Sequence, residues 1–171
     1  EVKFDNTSTS RYPNSALTAN EKQLLDRFIS DFLNFSYPIV KDYYDPMDRI
    51  DSATFKVWDI DGPSSTGGYF QPGTDEFNVD RSDLSWGGVI IAHEFQHYIH
   101  DEYDRYENLW INEGCADYSA YLVYDITSAT AGHVYAYLEY RPYFGLIVSD
   151  TSWQQDGSTA YYGNAFLYQL Y

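Results

Sequence analysis

The stretch His93-Glu94-Phe95-Gln96-His97 places two imidazoles and a carboxylate at the spacing that a catalytic zinc site requires. On an α-helix, residues i and i+4 lie on one face about one turn apart, so His93 and His97 can direct ring nitrogens at the same metal ion. Glu94 is offset by one residue and cannot join them as a ligand on that face. It can reach a metal-bound water instead, which makes Glu94 a candidate general base. The alternative interpretation is an amphipathic core helix that happens to carry two histidines.

A third protein ligand is expected, because a catalytic zinc usually has three and keeps one position for water or substrate. The best candidate is Glu113, which lies far enough beyond His97 for one helix to end and a second helix to cross back over the first. Asp117 follows Glu113 by one turn on the same face, where it can accept a hydrogen bond from the far nitrogen of a ligating histidine. The alternative for both acids is an exposed face of the helix.

Other ligand sets are weaker. His100 shares a face with His93 but is too far along the helix axis to bind the same ion. A metzincin would need glycine at position 100 and histidine at position 103, so that class is excluded. The run from Gly157 to Gly163 is faintly similar to the aspzincin signature but lacks its aspartate. Asp156 nearby is the alternative third ligand.

The two histidines, together with Asn112-Glu113 and Asp117, resemble the glutamate zincins, or gluzincins. Within that group, His-Glu-Phe-Gln-His and Trp-Ile-Asn-Glu-Gly look most like the hyicolysin-like secreted neutral metallopeptidases of bacteria. The segments Gly67–Phe70 and Tyr161-Tyr162-Gly163 are also similar, so that the resemblance covers about residues 54–171. It implies a zincin-like fold with two lobes flanking a zinc cleft, hydrolysis of peptide bonds with bound zinc, and secretion.

The remaining roles follow from that chemistry. Glu94 is expected to take a proton from the zinc-activated water and to deliver it to the leaving amine. An oxyanion donor is also needed, and Tyr162 is our first choice, followed by Tyr161 and His133. Gly68, Tyr69 and Phe70 could pair with the substrate backbone as an added strand, although a plain turn is an equal alternative. A zinc-binding interaction module without activity is the alternative from another class of function.

Charge and composition restrict the partners. The net charge of −16 over 171 residues argues against nucleic acid and anionic membranes as partners. Protein or peptide substrates are what the resemblance to the gluzincins implies. Cys115 is the only cysteine, so an intrachain disulfide is excluded. No stretch approaches a membrane span, and the segment from Glu1 to Phe4 does not read as a leader peptide. Because Gly163–Tyr171 reads as a helix without a cap, we expect the chain to be part of a longer secreted precursor.

The hydrophobic pattern predicts one α+β domain over residues 1–171, in which a small mixed sheet is followed by a zinc-binding helix pair and further helices. Residues 1–17 are expected to be irregular. The predicted elements are a helix from the Thr18/Glu21 capping box to the residue before Pro38, strands at Thr54–Ile60, Gly67–Phe70 and Phe77–Asp80, a helix at Gly88–His100, a turn-like segment at Asp101–Asn108, and helices at Ile111–Tyr124, Thr130–Tyr140 and Gly163–Tyr171.

Overall fold

The computed structural model describes residues 2–5, 17–60, 66–125, 127–140, 166–167 and 169–170, which form a mixed α+β arrangement. The α+β class and the small mixed sheet are confirmed. In chain order the elements are β1 (Val2–Asp5), α1 (Ala19–Asp31), α2 (Tyr37–Tyr44), β2 (Ala53–Trp58), β3 (Gly68–Phe70), β4 (Glu76–Asp80), α3 (Gly87–Asp104), α4 (Leu109–Tyr124) and α5 (Ser128–Tyr140). Of these, β2, β3, β4, α4 and α5 match their predicted bounds to within two residues.

Within the described residues, the sheet has four strands in the order β1-β2-β4-β3. β2 pairs in parallel with both β1 and β4, whereas β3 pairs antiparallel with β4 and forms an edge. The expectation that residues 1–17 are irregular is wrong for Val2–Asp5, which pairs residue by residue with the segment from Ala53 to Lys56. Nothing local in the sequence predicts this strand, because its hydrogen bonds come from a segment far along the chain.

The first helical region begins as predicted and ends later. Thr18 and Glu21 form the capping box, with Thr18 N donating to Glu21 Oε2 at 2.6 Å and Glu21 N donating to Thr18 Oγ1 at 3.2 Å. The predicted end before Pro38 is wrong, because a π-helical turn at Phe32–Ser36 leads directly into α2. That turn places Pro38 in the first turn of α2, where a missing backbone N–H costs little.

Buried aromatic rings fix α3 on the sheet. The side chain of Phe77 in β4 is fully buried, and its ring lies 5.3 Å from that of Phe55 and 5.6 Å from that of Phe70. From α3, the rings of Phe95 and Tyr98 reach Phe77 at 6.2 and 5.6 Å. Because this face of α3 is held against the sheet, its two metal-binding candidates turn toward α4 instead.

The helix α3 continues to Asp104, so the prediction of a turn-like segment is wrong for its first four residues. Asp101 explains the difference. Its carboxylate accepts from Arg105 Nε and Nη2, both at 2.9 Å, and from the backbone N–H of Gly73 at 2.9 Å. An acid followed by a base one turn later stabilises the end of a helix. Only the segment from Arg105 to Asn108 remains to connect α3 to α4.

The helices α3 and α4 pack closely along each other, and small buried residues of α4 allow this approach. Gly114, Cys115, Ala116 and Ala120 are all buried, and Ala116 and Ala120 share the face of α4 that carries Glu113. In the part of the chain that the structure describes, no helix has both the length and the apolar character that a bilayer span requires. Of the predicted helix at Gly163–Tyr171, residues 166, 167 and 169 are helical and most of the rest lies outside the described residues.

Candidate metal centre

The side chains of His93, His97 and Glu113 converge on one point between α3 and α4. Their facing atoms form a triangle: His97 Nε2 lies 3.1 Å from His93 Nε2, and Glu113 Oε2 lies 3.2 Å from His93 Nε2 and 3.3 Å from His97 Nε2. Tetrahedral zinc with nitrogen and oxygen ligands at about 2.0–2.2 Å separates its ligand atoms by about 3.3–3.6 Å. The sides of the triangle lie at or just below this range, so these three side chains could hold a zinc ion, and they are the one such group among the described residues.

The charges around the triangle favour a cation. Burial by itself lowers the pKa of His93, but the hydrogen bonds to Asp117 and Glu113 outweigh it and raise that pKa well above the ordinary value. Burial also lowers the pKa of His97, and the charge of Glu113 more than reverses this. The pKa of Glu113 is shifted the other way: burial raises it, but the two histidines hold it well below its usual range. The carboxylates thus stabilise positive charge at the triangle, which a proton or a metal ion can supply.

Each candidate histidine ligand is oriented by a side chain of α4. Asp117 Oδ1 lies 3.1 Å from His93 Nδ1, and Asn112 Oδ1 lies 2.7 Å from His97 Nδ1. Because a carboxylate or amide oxygen only accepts, these contacts place the hydrogen on Nδ1 and leave both Nε2 atoms for the triangle. The position of Asp117, one turn after Glu113, predicted this contact with a candidate histidine ligand, and the contact with His93 is present.

The role of Asn112 was missed by the sequence analysis, which assigned it no function. A usable signal was present. If Glu113 faces the two histidines, the residue before it and the residue one turn after it lie on either side of that face of α4 and can also reach the imidazole rings. Asn112 occupies the first of these positions and Asp117 the second.

Glu94 lies outside the triangle but faces the same cleft. Its side chain is largely buried, with only 8% of the residue exposed, and its Oε2 accepts from the backbone N–H of Phe70 at 2.8 Å. That contact joins α3 to β3, so the carboxylate is held by the edge strand of the sheet. The carboxylate of Glu94 is thus held in the same cleft as the three candidate ligand atoms without being one of them.

The cleft has a volume of about 340 Å³ and passes between β3 and α4 over the surface of α3. Gly68, Tyr69 and Phe70, the predicted substrate-binding residues, line one side of it. A side chain at position 68 would not fit, since a Cβ there would come within 2.6 Å of Ile90 Cγ2 and 2.7 Å of the Asn78 carbonyl. Glycine thus allows β3 to lie directly against α3. Among described residues, the cleft is further lined by Pro72, His93, Glu94, His97, Asp101, Asp104, Arg105, Leu109, Asn112 and Glu113.

The remaining predicted residues have different positions. His133, our third choice of oxyanion donor, lies on α5 with its Nδ1 2.5 Å from Asp117 Oδ2. His100 Nδ1 lies 3.0 Å from Gln96 Nε2, and the residue takes no part in the triangle. Tyr161, Tyr162 and Asp156 lie outside the described residues, so their proposed roles stay predictions.

Comparison with known proteins gives no relative from which to transfer a function. No family model matches the chain, and neither the curated proteins nor the solved structures include a match. Any functional conclusion therefore depends on the chemistry of the triangle, the cleft and the residues around them.

Proposed function

We propose that this protein is a zinc-dependent peptidase of the gluzincin type, similar to the hyicolysin-like secreted metallopeptidases, with His93, His97 and Glu113 as its zinc ligands. One observation carries the proposal: the carboxylate of Glu94 lies in an open cleft beside a triangle of ligand atoms whose size fits zinc. A structural zinc site is closed by four protein ligands and has no use for a base beside an open position. Three candidate ligands with a carboxylate beside them in an open cleft therefore favour a catalytic zinc over a structural one.

Each residue of the proposed site has a distinct chemical role in peptide hydrolysis. Zinc, when bound, polarises a carbonyl group and lowers the pKa of a coordinated water to about 7. Glu94 accepts the proton of the attacking water and delivers it to the leaving amine. The N–H of Phe70, at 2.8 Å, holds one oxygen of Glu94 and leaves the other for this proton transfer. Asp117 and Asn112 keep the two imidazoles in the tautomer that binds metal.

Protein or peptide substrates are proposed to bind as an extended strand along β3. In the antiparallel pair, Gln71 N donates to Glu76 O and Asp80 N donates to Gly67 O, so these residues face β4. By the alternation of an antiparallel ladder, Gly68 and Phe70 face the other way. The outward carbonyl groups of Gly68 and Phe70 are then suited to accept from a substrate backbone. Cleavage within a chain, rather than at its end, is consistent with a cleft open along this strand.

Two alternatives are kept. In the first, the protein binds zinc as an interaction module without activity, and Glu94 then has no chemical role. In the second, Asp156 replaces Glu113 as third ligand, as in an aspzincin. The triangle of His93, His97 and Glu113 favours the gluzincin set, because Glu113 already supplies an oxygen at the required distances. We also propose that the protein is secreted, because the enzymes that its zinc motif resembles are exported.

The test is digestion of a mixed peptide library by the purified protein, first as isolated, then after a chelator, then after zinc is added back. We expect cleavage that the chelator abolishes and zinc restores. Cleavage that persists in the chelator would contradict a metal mechanism. Stoichiometric zinc binding without any cleavage would favour the interaction module.

A further inference from the structure

All four histidines of the chain lie on α3 or α5. Three of them either belong to the triangle or contact Asp117, which contacts the triangle. His93 and His97 supply two corners of the triangle. His133 comes from α5 and contacts Asp117, the carboxylate that orients His93. The proposed function assigns a use to Asp117 and none to His133. The geometry around Asp117 suggests what His133 does.

Asp117 divides its two oxygens between two imidazoles. Its Oδ1 lies 3.1 Å from His93 Nδ1, and its Oδ2 lies 2.5 Å from His133 Nδ1. The carboxylate side chain is only 5% exposed, so water cannot readily replace either partner. A buried carboxylate with an unpaired oxygen is costly, and the carboxylate therefore depends on both donors.

The two contacts together also determine the plane of the carboxylate. The terminal torsion of an aspartate side chain is broad and is not held in one well by its own rotamer preference. One donor on Oδ1 would leave the carboxylate free to tilt about that contact. A second donor on Oδ2, from a different helix, removes this freedom and directs Oδ1 at His93.

His133 is not among the described residues that line the cleft. It contacts the residue that orients a metal ligand, rather than the space in which a substrate would lie. A role in holding Asp117 fits this location better than direct contact with a reacting carbonyl group.

We infer that His133 is a positioning residue, which holds Asp117 in the orientation that fixes the metal ligand His93; this rests on the proposed zinc site. Helix α5 is then part of the metal centre, although it supplies no ligand. Removal of the ring should loosen Asp117, broaden the orientation of His93 and weaken metal binding. The loss should be near the lower end of the range of about 10–100-fold that is typical of residues behind the ligands.

The experiment measures zinc affinity by competition with a chromophoric chelator for the wild type and four single variants. His133→Ala removes the donor, and His133→Gln moves an amide away from the Nδ1 position while remaining polar. His133→Asn keeps an amide N–H close to the place of Nδ1. Gly132→Ala is the matched control, since a methyl group there meets no atom within 4 Å.

We expect affinity to fall about 10-fold in His133→Ala and His133→Gln, to be restored in His133→Asn, and to be unchanged in Gly132→Ala. The visible spectrum of the cobalt-substituted protein should change and recover in the same order, because it reports the geometry of the ligands. If His133→Ala does not fold, the comparison of His133→Gln with His133→Asn answers the same question.

A double-mutant cycle with Asp117→Ala decides whether His133 acts through Asp117. We expect the double variant Asp117→Ala/His133→Ala to bind zinc no more weakly than Asp117→Ala alone. Additive losses would overturn the inference, and so would equal zinc affinity in the wild type and His133→Ala. A collapse of kcat in His133→Ala with unchanged zinc affinity would also overturn it and make His133 the oxyanion donor. The cycle measures zinc affinity and does not depend on peptide cleavage. A protein that binds zinc but cleaves nothing would refute the peptidase proposal, and the cycle would still test whether His133 acts through Asp117.

Discussion

The backbone N–H of Phe70 donates to Glu94 Oε2 across 2.8 Å, so the edge strand of the sheet holds the carboxylate next to the candidate metal site. The same strand lines the cleft in which we propose that the substrate lies. The base and the substrate would thus be positioned by one element. Glu94 itself belongs to α3, so this hydrogen bond is what connects its carboxylate to β3.

The first prediction concerns Glu94. Glu94→Gln should retain the fold and the bound zinc but lose almost all peptide hydrolysis. The amide oxygen of glutamine can still accept from Phe70 N, so the change removes proton acceptance and little else. The measurements are zinc content and turnover of a peptide found by the library digest.

The matched control for this variant is Glu102→Gln, which changes an exposed glutamate on the same helix and should leave both quantities unchanged. Near-normal turnover in Glu94→Gln would show that another residue is the base or that the reaction is not hydrolysis.

The second prediction concerns the third ligand. The wild type should bind one zinc per chain, and Glu113→Ala should bind it far more weakly, because one corner of the triangle is lost. Elemental analysis and chelator competition measure this, with Glu102→Ala as the control. Full occupancy and undiminished affinity in Glu113→Ala would remove Glu113 from the ligand set and return Asp156 to consideration.

The third prediction concerns the partners of the imidazoles. Asp117→Ala and Asn112→Ala should each weaken zinc binding by about 10–100-fold without removing a ligand, because His93 or His97 then loses its fixed orientation. Chelator competition on the two variants and on the wild type provides the measurement. Unchanged affinity in Asp117→Ala would make that aspartate an ordinary polar residue of α4.

The sequence predicted which side chains would lie together in the candidate site where that depends on helical spacing alone. His93, His97 and Glu94 follow from a five-residue pattern, and Glu113 follows from the return of a second helix. Asn112 and the location of His133 depend on how α4 and α5 pack against α3, which no local pattern encodes. The same reason explains β1, whose hydrogen bonds join distant segments. Pro38 predicts the end of a helix, because proline normally interrupts one. The sequence pattern does not show the π-helical turn at Phe32–Ser36 that precedes Pro38 and lets the helical region continue.

The fourth prediction concerns the oxyanion donor, for which the sequence favours Tyr162. Tyr162→Phe should lower kcat by about 10²-fold while KM and zinc content barely change, since the hydroxyl acts mainly in the transition state. Tyr161→Phe is the paired variant and should have a smaller effect. Wild-type kcat in Tyr162→Phe, with a collapse in His133→Ala at unchanged zinc affinity, would transfer the role to His133.

The fifth prediction concerns stability in acid and depends on Asp45, whose side chain is fully buried. It accepts from the backbone N–H groups of Arg49 and Ile50, at 2.8 and 2.9 Å, and from Tyr103 Oη at 2.6 Å. Lys41 Nζ lies 3.0 Å from the same carboxylate. Asp45 therefore joins the end of α2, the loop that follows it and α3 by hydrogen bonds to one charged group.

Burial raises the pKa of Asp45, but the hydrogen bonds from Tyr103, Arg49, Ile50 and Lys41 outweigh it and lower that pKa from 3.8 to about 2. A carboxyl group whose pKa is lower in the folded state stabilises the fold above its unfolded pKa, and this contribution is lost as the pH falls through the folded value. The contribution of Asp45 is about 2 kcal/mol at neutral pH. It should be complete above about pH 4 and disappear toward pH 2.

Asp45→Asn should therefore be less stable than the wild type at pH 7, and the difference in unfolding free energy should shrink as the pH falls from about 4 to 2. Urea unfolding of the metal-free proteins measures the difference at each pH without a contribution from zinc release. Asp42→Asn, an exposed aspartate on the same helix, is the control and should follow the wild type. A stability difference that stays constant across this pH range would mean that Asp45 contributes through packing and neutral hydrogen bonds, and its ionisation would then have no part in holding α2 against α3.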